Sequence, residues 1–376
     1  MKDELERLRL VRTESVGPVT YRKLLSRFAS PTEALDALPA LARAGGRATT
    51  PRIPAMAEVE REYAALTRMG GRFLFLDTPG YPEFLAQLPD APPAIAVLGD
   101  PALLSAPSIG IVGARNASAN GMRFAEHLGA ELAARLTVVS GLARGIDAAA
   151  HTGALRAGKT VAVIAGGLDV PYPPENADLQ KRIAEGGAVV AEAPLGTAPQ
   201  GRHFPKRNRI IAGLALGLVV IEAAARSGSL LTARLASEAG RELFGVPGSP
   251  LDPRSKGAND LIRQGAHLVD CAEDVFANLP DHPARQGLGR DPLFTHGQPG
   301  FADPPCAWEG GTSEADLARA RREILPLIGP EPVSVDEIAR RCQLSSGAIA
   351  AALLELELAG RVETLTGNRV VRPEDL

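Results

Sequence analysis

The chain has 376 residues, a formal net charge of −3 and an apolar fraction of 45%. That is enough chain for two or three domains, and it excludes a globally basic nucleic-acid binder, so any such binding must use a local patch. No stretch approaches the roughly 18 consecutive apolar residues of a membrane span, the opening MKDELERLRL lacks the apolar core of a signal peptide, and Cys271, Cys306 and Cys342 form no CxxC pair, which argues against a zinc site or disulfide framework and fits a reducing cytoplasm.

Residues 1–45 read as helices: ELERLRLVRTES, a Gly-Pro turn, VTYRKLLSRF, then SPTEALDAL with a Ser-Pro start. Residues 46–104 read as a proline-rich, less regular connector. From 105 to 280 short β-branched runs alternate with amphipathic helical stretches. The expected strands are 108–113, 136–141, 160–167, 188–193, 216–223 and 242–248, with a short seventh at 267–270. Near-continuous apolar strands separated by helices predict a doubly wound parallel sheet of the α/β class, Rossmann-like, covered on both faces. Residues 281–312 read as a linker rich in Gly and Pro, containing Trp308, which either packs on a neighbouring domain or anchors a partner. Residues 313–376 predict three helices and a hairpin, a winged helix, with Ser334 and Glu337 as a capping box on the second helix.

In an open α/β sheet, ligands bind beyond the carboxyl ends of the strands. The residues there are Gly113-Ala114-Arg115, Ser140 to Arg144, Gly166-Gly167, Ala225 to Ser229, Pro247 to Ser249, then Lys256-Gly257. Glycines let the backbone approach a phosphate, and the helix N-termini that follow offer free N–H groups and partial positive charge. The most basic stretch is HFPKRNRII, 203–211, with no acid from Gln200 to Leu216. Pro205 predicts a helix start, which would put Lys206, Arg207, Asn208 and Arg209 in the first turn, where cations oppose the helix dipole by about 0.3–1 kcal/mol each. An anionic ligand would reverse that sign, and Phe204 could stack on a base. Arg207 shares a helical face with Ile210, Ile211 and Leu214, so its alternative role is a semi-buried pair with Glu192 or Glu222. Lys206 and Arg209 have less reason to be buried.

Candidate catalytic groups are Asp147, His151, Asp169, Glu192 and Glu222. Asp147 and His151, four apart, form either an acid–base pair or an internal hydrogen bond. No HExxH, GxSxG, P-loop or GxGxxG motif is present, and nothing in these residues demands an enzyme.

Taken in order, GIVGARNASANG, VVSGLARGIDAAAHTGAL, TVAVIAGGLDVPYPPENADL, FPKRNRIIAGLA, VVIEAAARSGSLLTARLASEAGRELFGVPG and SKGANDLIRQGAHLV resemble the successive blocks of the DNA processing protein A (DprA, also called Smf) family, over about 105–275. The resemblance implies a non-enzymatic, cytoplasmic, dimeric single-stranded-DNA-binding protein of natural transformation, with no cofactor, that protects incoming strands, helps overcome single-strand-binding protein and loads RecA. By carry-over its DNA-contacting residues would be Arg115, Ser140, Gly141, Arg144, Phe204, Lys206, Arg207 and Asn208. The rival on the same fold is a phosphoribohydrolase-like enzyme using Glu192 or Glu222. Two features depart from a duplex binder. The helix-hairpin-helix-like SVGPVT has Pro18-Val19 where a second glycine would help phosphate approach, so a scaffold role is expected. Residues 313–376 carry 8 Lys/Arg against 11 Asp/Glu, and the third helix has no Lys or Arg. Duplex binding needs phosphate neutralisation, so protein contacts or dimerisation are expected of that domain.

Overall fold

The structure is a computed structural model that describes residues 2–279, 314–342, 344–365 and 368–373. Trp308, Cys306 and the rest of 281–312 lie outside the described residues. The chain divides into two compact units, one of residues 61–289 and one of residues 1–60 with 290–376.

The chain opens with α1 (Lys2–Val11), α2 (Pro18–Arg27) and α3 (Pro31–Ala44). Ser30 caps α3 by accepting from Glu33 N (3.2 Å), while Glu33 accepts from Ala29 N (3.2 Å), one residue ahead of the cap. The α1–α2 hairpin is tied from within. Glu14 accepts from Arg47 (2.7 Å) and from Arg52 N (3.0 Å), and Arg47 also donates to Ser15 Oγ (3.1 Å).

The unit of residues 61–289 is built on a nine-stranded sheet of order β1-β2-β6-β5-β4-β3-β7-β8-β9. Helix α4 (Met56–Arg68) leads to β1 (Arg72–Phe75), the short α5 (Glu83–Ala86) and β2 (Ala94–Gly99). Then come β3 (Ser108–Gly113), α6 (Ala119–Ala133), β4 (Thr137–Ser140), α7 (Ile146–Ala157), β5 (Thr160–Ile164), α8 (Ala177–Gly186) and β6 (Ala188–Ala191). The second half is α9 (His203–Leu214), β7 (Gly217–Ile221), α10 (Gly228–Glu238), β8 (Glu242–Gly245), α11 (Lys256–Arg263), β9 (His267–Leu268) and α12 (Ala272–Asn278). From β6 to β9 every neighbouring pair is parallel. Alternate residues of β3, β4 and β7 enter different cores. On β7, Leu218 and Val220 join Ile210, Ile211 and Leu214, whereas Val219 and Ile221 join Leu128, Leu132 and Ile146. Burial on both faces is why these strands read as continuous apolar runs.

The expected strands are present, most of them shorter than the apolar runs that announce them. The segment 46–104 differs from expectation: it supplies β1 and β2, which extend the sheet antiparallel beyond β6. Pro89, Pro92 and Pro93 stand in the β1–β2 connection, outside the strands, so they do not break the ladder. The chain steps from one side of β3 (β4) to the other (β7), so the sheet's switch point lies beside β3, with α6, α7 and α9 around it.

The C-terminal part contains α13 (Glu314–Ile324), β10 (Val333–Ser334), α14 (Val335–Cys342), α15 (Ser346–Leu358), β11 (Glu363–Leu365) and β12 (Arg369–Val371), a winged helix with a three-stranded wing of order β10-β12-β11. Ser334 accepts from Asp336 N (3.2 Å) and forms part of β10, so the expected Ser334–Glu337 box is replaced by a tighter turn. Ser345 caps α15 through Ala348 N (3.2 Å). Helix α15 is apolar on all sides, the mark of a buried helix. Ile349, Ala352, Leu353 and Leu356 fill the winged-helix core. Leu354 and Leu358 pack with Leu10, Tyr21, Leu24, Leu35 and Leu38 of α1–α3. Lys23 reaches Glu357 (3.3 Å) and Thr364 (3.3 Å), and a Cβ on Gly45 would fall 1.9 Å from the Glu355 carbonyl oxygen. This side of α15 is therefore covered by the chain's own N-terminal helices. Among the described residues no helix is long and apolar enough to cross a membrane.

Candidate nucleic-acid interface

Beyond the carboxyl ends of β3, β4 and β5 lies a cavity of about 400 Å³. Arg207 and Gly141 line it with Arg115, Asn116 and Arg144; Ile164, Val170, Pro173 and Pro199 give it apolar walls; and Tyr172 and Phe204 add two aromatic rings. The carboxyl-end loops thus converge as the strand pattern implied.

Helix α9 begins at His203, two residues before the expected Pro205. Proline is tolerated there because the first turn has no intrahelical N–H bond to lose. Lys206, Arg207 and Arg209 therefore fall in the second turn, where the dipole penalty fades, and their positions must be explained by partners. Those partners reverse the expected roles. Arg209, 8% exposed, donates to both oxygens of Glu192 (2.6 and 2.7 Å) and to the Asp90 carbonyl (2.6 Å). It is the arginine that holds the helix to the sheet. Arg207, expected to pair with Glu192 or Glu222, pairs with neither. It is 6% exposed, its Nε has no hydrogen-bond partner, and among the described residues no carboxylate lies within ion-pair distance of it.

Arg207 owes its place to Gly141. A Cβ on Gly141 would fall 1.3 Å from Arg207 Nη1, so any side chain there would displace the guanidinium. Burial lowers the Arg207 pKa to about 10, partly offset by the charge of Asp147. Arg207 thus stays cationic at neutral pH, a desolvated charge whose cost an anion in the cavity would offset. Asp147 is buried, which raises its pKa against the pull of Arg207. It accepts from Gly141 N (3.2 Å) and Ala143 N (3.4 Å) and so fixes the loop after β4.

Arg115 is exposed, and its guanidinium lies 4.8 Å from the Phe204 ring centroid. Arg144 lines the cavity and pairs with Glu175 (2.6 Å), both side chains more than half exposed, a pair worth about 0–1 kcal/mol. Lys206 is exposed but does not line the cavity. Two expected DNA contacts turn away. Ser140 is fully buried and donates to the Ile111 carbonyl (2.6 Å), because strand alternation points its hydroxyl into the sheet. Asn208 is 8% exposed and reaches the Gly228 carbonyl (3.4 Å), tying α9 to α10. Tyr172, in the loop after β5, and Asn116 were not anticipated. The signal for Tyr172 was an aromatic in PYPPEN, just past the Gly166-Gly167 rim residues.

The carboxylate candidates for catalysis are engaged by the protein's own donors, Asp169 at the surface. Glu222 accepts from Ser118 N (2.8 Å) and Ser118 Oγ, and Ser118 in turn caps α6. Asp169 accepts from Gly196 N (2.7 Å). Asp147 and His151 do not pair: Thr160 Oγ1 donates to the Val138 carbonyl (2.6 Å), so His151 Nδ1–H donates to Thr160 (2.8 Å). Burial, with the Arg207 charge, lowers the His151 pKa to about 3.

Fold and site together define a Rossmann-like α/β protein whose sheet opens on a cationic, aromatic-walled cavity. A family model described as DNA recombination-mediator protein A matches residues 72–280, one described as a DprA-like N-terminal HHH domain matches 1–65, and one described as a DprA winged helix domain matches 311–368. The chain belongs to the DNA processing protein A (DprA/Smf) family. It is similar to Protein Smf of Synechocystis sp. (36% identity over 318 residues, 80% of each chain) and to Protein Smf of Escherichia coli (38% over 304 residues, 78% of this chain and 75% of that one). The X-ray structure of DNA processing protein A from Streptococcus pneumoniae superposes with a TM-score of 0.64 at 36% identity, covering 75% of this chain and 99% of that one. The protein from Helicobacter pylori, solved for its single-stranded DNA binding mode, gives 0.50 at 29% identity, covering 55% and 94%.

Proposed function

We propose that this protein is a single-stranded-DNA-binding recombination mediator that works in the cytoplasm as a homodimer, protects incoming strands, helps overcome single-strand-binding protein, and loads RecA during natural transformation. The observation that carries the reading is Arg207: a buried cation without an ion-pair partner, opening on a cavity rimmed by Arg115, Arg144 and two aromatic rings. Family membership and the single-stranded DNA binding of the Helicobacter pylori protein support it. The internal engagement of Asp147, Asp169, Glu192 and Glu222 supports a binding role over hydrolysis of nucleotides.

The mechanism is positional and electrostatic. Phosphates lie along the rim, Arg115 and Arg207 supply charge at the cavity, and exposed Lys206 adds an outer contact. Affinity for single strands falls with salt at a log–log slope of about −0.7 per phosphate neutralised. A mobility shift with single- and double-stranded oligonucleotides over a salt series, with and without RecA, tests the proposal. Preference for the single strand, and a flatter slope in Arg115→Ala/Lys206→Ala, are expected. An unchanged slope in the folded double variant, or release of free base from nucleoside monophosphates, would overturn it.

A further inference from the structure

The two aromatic rings at the cavity are not equivalent. Phe204 is the ring that the sequence offers as a stacking platform. In the structure it is half-buried and already carries the Arg115 guanidinium over its face, 4.8 Å from the centroid. A cation held over an aromatic face in this way is attracted by the ring quadrupole, and a base stacking on that face would have to displace it. Tyr172 also meets Phe204, 5.9 Å between ring centroids with the rings tilted by 56°. It is 46% exposed, and among the described residues it is the one Phe or Tyr side chain that is exposed. Its hydroxyl makes no hydrogen bond among the described residues. Pro173 next to it is buried and lines the same cavity, so the ring is anchored at its base and open on its surface.

We propose that Tyr172 is the residue on which an unpaired base stacks, and that Phe204 is a positioning residue that holds Arg115 in place for a phosphate. The inference rests on the reading of the cavity as a single-strand seat. A volume of about 400 Å³ suits one small ligand, such as a nucleotide whose base lies on Tyr172 while its phosphate meets Arg115 and Arg207. A base inside a duplex has both faces covered by its neighbours, so this contact is available to single strands alone. Tyr172 thereby couples recognition of a base face to recognition of charge, and it is indifferent to sequence because every base has such a face.

The test uses the full-length protein with two strands of equal length, oligodeoxythymidine and an abasic strand, followed by fluorescence anisotropy. Tyr172→Ala is expected to weaken oligodeoxythymidine binding by about 5- to 150-fold and to leave the abasic strand within about twofold, while Tyr172→Phe binds both strands like the wild type. Phe204→Ala is expected to weaken both strands alike and to flatten the salt slope by about 0.7, the share of one phosphate contact. An equal loss on both strands in Tyr172→Ala, no loss on either, or a base-dependent loss in Phe204→Ala would overturn the assignment. A wild type that binds oligodeoxythymidine no better than abasic strand would overturn it as well, with the single-strand reading intact. A wild type that binds neither strand would bring down the single-strand reading itself. Unfolding midpoints and circular dichroism of each variant separate loss of binding from loss of fold.

Discussion

Helices α9 and α15 are the two that a nucleic-acid binder of this architecture would be expected to use, and they differ in kind. Helix α9 turns one cation into a cavity and anchors itself with another, Arg207 and Arg209, two residues apart. Helix α15, which occupies the place of a recognition helix in the winged fold, has no cation and buries nine of its thirteen residues. Its carboxylates are engaged as well: Glu355 lies 3.5 Å from Arg321, and Glu357 meets Lys23 and Thr364. A helix reading the major groove needs polar or basic side chains free to reach base edges. Here that face is the shared core of the two chain ends. A winged-helix topology therefore does not carry its usual function with it; the side chains decide.

The largest effect should come from the anchoring cation. Arg209→Ala leaves Glu192 and Asp90 without their buried partner and should cost about 3–5 kcal/mol in urea unfolding. On the other helix, Leu354→Ala opens a cavity between α15 and α1–α3 and should cost about 2–5 kcal/mol, with single-strand affinity unchanged; a parallel loss of affinity would break the contrast between the helices. Arg207→Met should behave unlike Arg209→Ala. Removing a buried cation without an ion-pair partner should raise the melting temperature, while single-strand affinity falls by about 1.5–3 kcal/mol in an anisotropy titration. Joint loss of stability and binding would place Arg207 with the anchors instead.

The smallest effect is the part of the pH dependence that comes from His151, beside α9. His151 has a folded pKa of about 3 against an ordinary 6.5. The unfolded chain therefore takes up this proton first as pH falls. The stabilising contribution of neutral His151 is complete above pH 6.5 and is lost toward pH 3, at up to about 1.4 kcal/mol per pH unit. Asp147, raised by burial, acts in the opposite sense, because the folded state binds its proton more readily. His151→Leu should flatten the fall in unfolding free energy between pH 6.5 and 5.5. Arg207→Met should leave that window unchanged and make the fall end at a higher pH, because the Arg207 charge is, after burial, a cause of the lowered His151 pKa.

Much of this was legible in the sequence, and the exceptions have physical reasons. Strands buried on both faces announce themselves as apolar runs, so β3 to β8 were recognisable. Strands β1 and β2 were hidden by the prolines of their connection, although those prolines lie in the turn. That omission explains the exchange of roles on α9. Helical periodicity marked Arg207 as buried, but the partner that buries Arg209 includes Asp90, carried by the stretch between β1 and β2. Ser140 was misplaced because a position at the end of a strand does not reveal which way its side chain points. Tyr172 was missed because its proposed role depends on a ring from α9, Phe204, coming within 6 Å, a contact that no spacing in the sequence encodes.

The most direct test of the contrast between α9 and α15 is to photocrosslink a bromodeoxyuridine-substituted single strand to the full-length protein and map the modified peptides by mass spectrometry. Crosslinks in the peptides containing Tyr172 and Phe204, lost when unlabelled single strand competes, are the predicted result. Crosslinks concentrated in 346–358, with the cavity peptides unmodified, would contradict the account.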